Sequence, residues 1–332
     1  ENNNMKLDLD HLAQYIQGAE AIVRKDDCIV PHRFTAAEMH AFDENSDFRR
    51  KSYAASCVRL AFTTDAKGFS MAYHVVKGSS RSFYYFDVYV NGVMVQHSGH
   101  ESFLECPDNE LHVTLDGKPN TVVVYFPCLS EIDIKSFDIE GGHVIAPAIR
   151  LRTLFCYGDS ITQGYDARYP SLAYANQLAD AIGAVVYNKA IGGDVFNPEL
   201  ATATGPHKPD IITVAYGTND WSHKNTKETF FAQMNGFYAN LHKLYPKVPV
   251  FAILPIWRRD HDRVTDIGTF DELRGYLTEA VKPYSNFRLL DGYQYVPHLE
   301  EAFSDKYLHP NDFGFEFYAK NLIAEIKDAL NG

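Results

Sequence analysis

The stretch Leu154-Phe155-Cys156-Tyr157-Gly158-Asp159-Ser160-Ile161-Thr162-Gln163-Gly164 decides the reading of this chain. Leu151 to Tyr157 is mostly apolar, with no polar alternation after Thr153. That is the texture of a strand covered on both faces, as in a parallel sheet flanked by helices. Gly158 breaks the strand, and Asp159, Ser160 and Thr162 are residue types that open helices. Ser160 is therefore expected at a strand-to-helix turn. In open α/β sheets ligands bind at that end of the strands, and helix N–H groups there suit an anion. Taken alone, Gly-Asp-Ser after a strand is a turn and a helix cap. It also fails the nucleophile-elbow pattern G-x-S-x-G, because Thr162 stands where the second glycine would be.

Downstream the pattern alternates between strand and helix. Helices are expected over 171–182, 227–244, 269–283 and 313–330, and strands over 184–187, 211–216, 248–256 and from Arg288. This predicts a three-layer α/β domain with a parallel sheet over 148–332. Upstream the texture differs. Short alternating runs at 56–62, 69–76, 82–90, 111–115 and 121–126 are separated by turn residues, Asn91-Gly92 being a strong hairpin signal. They predict an antiparallel jelly-roll sandwich over 29–147, with Gly141 to Pro147 as the linker. Asp87, Asn91 and His112 read as its wet face. Residues 1–28 are expected as a separate segment, with one helix from Leu9 to Ile22.

The bulk numbers bound the function. The 332 residues suit two domains, and a net charge of −12 opposes non-specific nucleic-acid binding, which needs a basic patch. No apolar run approaches the ~20 residues needed to span a bilayer. The opening Glu1-Asn2-Asn3-Asn4 reads as a remnant ahead of a native Met5, a picture that a removed signal would also leave. The five cysteines are widely spread with no C-x-x-C, which disfavours a disulfide framework or zinc site and fits a reducing cytoplasm. Cys156, inside the apolar strand, reads as core.

Three further features fall at expected strand ends: the Asn188-Lys189-Ala190-Ile191-Gly192-Gly193-Asp194 loop, Gly217-Thr218-Asn219-Asp220, and His309-Pro310 before the last helix. Parallel strands bring their carboxyl ends to one rim, so these could converge on Ser160. A serine hydroxyl needs a base to take its proton, and histidine suits that near neutrality. The oxyanion formed on attack needs N–H donors already aimed at it. The Ser160 backbone, a loop glycine and an asparagine amide are of the right type. A carboxylate or a carbonyl must hold the histidine tautomer.

In order and in placement, these four blocks resemble the SGNH or GDSL hydrolases, over roughly residues 151–332. The resemblance implies a flavodoxin-like fold, with Ser160 as nucleophile and His309 as base. It implies Gly193 and Asn219 as oxyanion donors beside the Ser160 N–H, with Gly192 the weaker candidate because it does not directly precede Asp194. It implies no metal and no organic cofactor. One position departs from the family pattern: the acid usually stands three residues before the histidine, where this chain has Lys306, and Asp305 stands four before. Either a kinked loop lets Asp305 reach His309, or a backbone carbonyl orients the ring.

A sandwich ahead of such a domain also resembles the two-domain carbohydrate esterases and some acyltransferase relatives, an architectural likeness only. Trp221 and Trp257, the only tryptophans, follow expected strand ends and are candidates for the rim of a substrate pocket. Arg258-Arg259 reads as a solvated pair. The expected function is a serine esterase on a small acyl ester, with an O-acetylated carbohydrate as the architectural analogy. An acyltransferase would use the same acyl-enzyme, and the contrasting class is a carbohydrate-binding or interaction protein with an idle hydrolase domain. The expected partner is a small-molecule or carbohydrate ester, with no nucleic acid and no membrane. Oligomeric state is not legible, although a sandwich face could be buried in a dimer.

Overall fold

A computed structural model of the chain describes residues 4–142, 145–223 and 225–332. The expected open sheet is present. Its strands are β1 (Arg152–Gly158), β2 (Ala184–Asn188), β3 (Ile211–Ala215), β4 (Val250–Ile253) and β5 (Phe287–Leu290), numbered within the α/β domain. All four pairings are parallel, and the order is β2-β1-β3-β4-β5. This is the flavodoxin-like order, in which the chain winds one way from β1 to β2 and the other way from β1 to β3. The crevice at that reversal opens above the carboxyl ends of β1 and β3, where Ser160 and Asn219 follow.

Alternation along β1 feeds two cores. Leu154 and Cys156 point to one face, packed under α2 (Tyr174–Ile182) and α6 (Asp312–Asn331). Phe155 and Tyr157 point to the other, under α4 (Lys227–Leu244) and α5 (Phe270–Val281). Three of these four helices have an N-terminus written in sequence. Thr226 caps α4, Thr269 and Glu272 make a capping box on α5, and Asn311 caps α6. Cys156 is fully buried, and burial pushes its thiol up to about 12, which suits a core residue.

The N-terminal part is a sandwich of two antiparallel sheets with a shared apolar core. One sheet holds Ala21–Lys25, Cys28–His32, Ser130–Glu140, Gly68–Lys77 and Asp108–Thr114 in that order, and the other holds Ile145–Pro147, Arg59–Thr64, Asn120–Tyr125, Tyr84–Val90 and Val93–His100.

Four readings of this part need correction. The Leu9–Ile22 helix is a single turn at Leu9–Leu12 followed by strands, and residues 4–25 pair into both sheets instead of standing apart. Gly18 takes φ +87°, with Val186 O 2.7 Å from where a Cβ would be, so the chain turns there against β2. Of the expected linker, Ile145–Pro147 is a strand on Arg59–Thr64, while His143 and Val144 lie outside the described residues. Asp87 is fully buried and accepts from the Ser171 N–H and hydroxyl at 3.0 and 2.7 Å, so it joins the sandwich to the α/β domain.

Residues 33–55, for which the sequence suggests no element, cross onto the α/β domain. Phe34 and Phe42 enter the core beneath α4, and the helix Ser46–Ser52 lies beside the β2 loop.

Candidate active site

Ser160 opens the short helix α1 (Ser160–Gln163), directly after β1. Asp159 caps that helix by accepting the Ile161 N–H at 3.0 Å. Gly158 is required at the turn: a Cβ there would lie 2.1 Å from Thr162 Oγ1. Ser160 is 5% exposed, and its Oγ lies 2.9 Å from Nε2 of His309. His309 Nδ1 lies 2.8 Å from Asp305 Oδ2. The three residues thus form a chain of hydrogen bonds of the Ser-His-Asp type.

The departure at Lys306 has a local cause. Lys306 takes φ +59°, so the loop kinks and Asp305 reaches the ring from four residues away. The other oxygen, Oδ1, accepts the N–H groups of Tyr307, Leu308 and His309 at 2.9, 2.8 and 3.2 Å. Partial burial pushes the Asp305 carboxyl up. The bonds to His309 and to these N–H groups outweigh it and hold the carboxyl far below its usual range.

The glycine loop after β2 is anchored on both sides. Lys189 N–H donates to Cys156 O at 2.7 Å and Ile191 N–H to Gly158 O at 3.2 Å, which lays the loop against the end of β1. Gly192 N–H is taken by Gln163 Oε1 at 2.7 Å. The Gly193 N–H makes no hydrogen bond among the described residues. Asn219, in α3 (Thr218–Ser222), donates one amide hydrogen to Asp194 O at 2.9 Å, one residue beyond Gly193, and has a second hydrogen left. Gly193 and Asn219 therefore adjoin each other beside the Ser160 turn.

Beneath this rim lie three buried carboxyls, Asp159, Asp194 and Asp220, none more than 2% exposed. Asp194 Oδ2 and Asp220 Oδ2 have no partner among the described residues. Burial pushes Asp159 up to about 6 and Asp220 up to about 7, and lifts Asp194 well above the carboxylate range, with the neighbouring carboxylates adding to the rise at Asp194 and Asp220.

The tryptophans are placed differently from expectation. Trp221 is fully buried, donates Nε1–H to Gly268 O at 2.9 Å, and meets Phe270 edge-on. It is a core residue and not a rim residue. Trp257 is 9% exposed, stacked on His298 and packed against Phe303. Arg258 is not solvated. It is 2% exposed, ion-paired to Asp260 at 2.6 Å, and donates to Thr218 O and Oγ1 at 3.1 and 2.9 Å. Arg259 fits the solvated reading, with its side chain 49% exposed.

Two neighbours are not among the expected site residues. Tyr165 lies over the His309 ring, centroids 5.7 Å apart, and against Gly192, where a Cβ would be 2.7 Å from the phenol oxygen. Lys51, from the N-terminal part, donates Nζ–H to Gly192 O at 2.8 Å. Tyr165 directly follows the Ser160 stretch, whereas the neighbourhood of Lys51 contains no motif and only the tertiary fold brings it here.

Residues 156–317 match the model of the GDSL-like lipase/acylhydrolase family. The match lies within the α/β domain and spans all four blocks, from Gly158-Asp159-Ser160 to His309-Pro310. No curated protein matches the chain. Among solved structures, the salicylyl-acyltransferase SsfX3 from a tetracycline biosynthetic pathway is similar at TM-score 0.84 and 21% identity, covering 99% of this chain and 97% of that one. A structure from Bacteroides ovatus described as that of a GDSL-like lipase matches at 0.76 and 17%, covering 100% and 98%. A family two carbohydrate esterase from Cellvibrio japonicus matches at 0.68 and 14%, also covering 100% and 98%. At such identities the likeness shows the shared two-domain fold. The sandwich ahead of the α/β domain is part of that fold.

Proposed function

We propose that this GDSL hydrolase is a serine esterase that removes a small acyl group through an acyl-serine intermediate. One observation carries the reading: Ser160 Oγ, His309 and Asp305 in hydrogen-bonded series at 2.9 and 2.8 Å. His309 Nε2 takes the hydroxyl proton as Oγ attacks the ester carbonyl. The carbonyl oxygen becomes an oxyanion facing the N–H groups of Ser160 and Gly193 and the free amide hydrogen of Asn219. Asp305 holds the Nδ1–H tautomer and stabilises the imidazolium. The proton then passes to the leaving alcohol, and water repeats the cycle to release the acid.

A cleft of about 580 Å³ opens between the sandwich and the catalytic loop, lined by Arg81, Phe83, Asp166, Arg168, Ser304 and Asp305, and we assign the alcohol of the substrate to it. Its mix of hydrogen-bonding groups with one aromatic ring suits a polyhydroxylated alcohol, which supports an O-acylated carbohydrate as the substrate class. The experiment is hydrolysis of acetylated oligosaccharides beside p-nitrophenyl acetate, with Ser160→Ala as control. Release of acetate only by the enzyme with Ser160 supports the reading, and release by both refutes it.

A second reading has one observation in its favour. The similarity to a salicylyl-acyltransferase extends over 99% of the chain. An acyltransferase would form the same acyl-serine and hand the acyl group to an alcohol instead of water. A rate that rises with added alcohol, with ester as the product, would favour it.

A further inference from the structure

The Gly193 N–H belongs to the peptide that joins Gly192 to Gly193. A trans peptide is planar, and its C=O and N–H point to opposite sides. No peptide among the described residues is cis. Whatever fixes the Gly192 carbonyl therefore also aims the Gly193 N–H. Lys51 Nζ lies 2.8 Å from that carbonyl. A cation on the oxygen also polarises the amide and makes its N–H a stronger donor.

We infer that Lys51 is a positioning residue for the oxyanion hole, acting through the Gly192 carbonyl on the Gly193 N–H. The inference rests on the acyl-serine reading given above. The surroundings fit the role. Two glycines in succession, with Gly193 at φ +87°, leave this peptide little restraint of its own. The preceding peptide is already fixed by Gln163, at 2.7 Å from the Gly192 N–H. Lys51 is itself held, by Asp47 at 2.9 Å, with its side chain 12% exposed. Arg33, fully buried, ties the two parts together. Its Nη2 donates to Lys51 O at 2.9 Å, and its Nη1 to Asn188 O and Ala190 O at 2.7 and 2.9 Å. One guanidinium thus fixes the backbone of the Lys51 helix and of the glycine loop. Phe48 covers the same loop, 3.6 Å from where a Gly193 Cβ would be. The N-terminal part of the chain thereby helps to build a site whose recognisable motifs all lie in the GDSL domain.

The test is the rate at which a fluorophosphonate phosphonylates Ser160, because that reaction uses the same oxyanion donors and needs no knowledge of the natural ester. Ser160→Ala is the blank, and thermal unfolding is recorded for every variant. Lys51→Met and Lys51→Gln are expected to lower the maximal labelling rate at least about tenfold, with the half-saturating concentration within about twofold. Lys51→Arg, which can still donate to the carbonyl, is expected within about threefold of the natural rate. Labelling by the Met and Gln variants at the natural rate overturns the inference. So does a loss confined to half-saturation, or an Arg variant that folds but labels as slowly as Met. If the unaltered protein is not labelled at Ser160, the acyl-serine reading itself fails, a result distinct from the others.

Discussion

Asp305 meets His309 Nδ1 at 2.8 Å from four residues upstream, because Lys306 adopts a left-handed conformation between them. The carboxylate serves two purposes. One oxygen faces the imidazole, and the other closes the loop on three backbone N–H groups. Asp305→Asn keeps an acceptor for the loop but offers an amide to the ring, which favours the wrong tautomer. The expected result is a fall in kcat on the order of 10²–10⁴ with a folded protein. Steady-state kinetics with a melting curve checks it, and a loss below about tenfold would reject the role.

The same carboxyl sets an acid limit. Its folded-state pKa lies below the unfolded value, so its contribution to stability is complete above the unfolded value of about 4 and is lost as pH falls further. Melting temperatures between pH 3 and pH 5 should therefore depend less on pH in Asp305→Asn than in the natural protein. Parallel curves would contradict this.

The buried acids act in the opposite sense. Burial raises Asp220 to about 7 and Asp159 to about 6, so the folded protein holds their protons more tightly than the unfolded chain. Stability from this source is greatest near the unfolded pKa and falls as pH rises through about 6 to 7. Asp220→Asn cannot ionise, and it should flatten the decline in melting temperature from pH 5 to pH 8. An unchanged slope would show that Asp220 is not part of it.

Trp221 should act through packing. Its indole fills a fully buried site and satisfies Gly268 O. Trp221→Ala is expected to cost about 3–5 kcal/mol of stability. Chemical denaturation measures it, and a loss under about 1 kcal/mol would be inconsistent with this burial.

Asn219→Ala removes one proposed oxyanion donor and leaves Asp194 O without its amide partner. The expected fall in kcat is about 10²–10³, with KM little changed. A change in KM alone would assign Asn219 to ground-state binding.

The site's motifs were legible because each is a short run at the end of a buried strand, where residue type and position are coupled. Helix α4 was legible to the residue from its amphipathic spacing, and Thr226 caps it in the structure. The N-terminal 25 residues were not. Leu12, Tyr15 and Ile16 have helical spacing, but Gly18 and the edges of two sheets win over that local preference. Trp221 and Arg258 were misplaced because strand ends predict a rim, while the depth of a side chain there is set by the loop 255–268 folding over it. Lys51 could not be found from sequence at all: its partner carbonyl is 141 residues away, and a Lys in a charged run reads as surface.

The most direct test of the central claim is to trap the acyl-enzyme. The protein is mixed with p-nitrophenyl acetate, quenched in acid within the first turnovers, and digested for mass spectrometry. The account predicts an acetyl group on the Ser160 peptide, lost on longer incubation and absent in Ser160→Ala, which should not turn over the ester. Undiminished hydrolysis by Ser160→Ala, or acetyl found only on another residue, would contradict it.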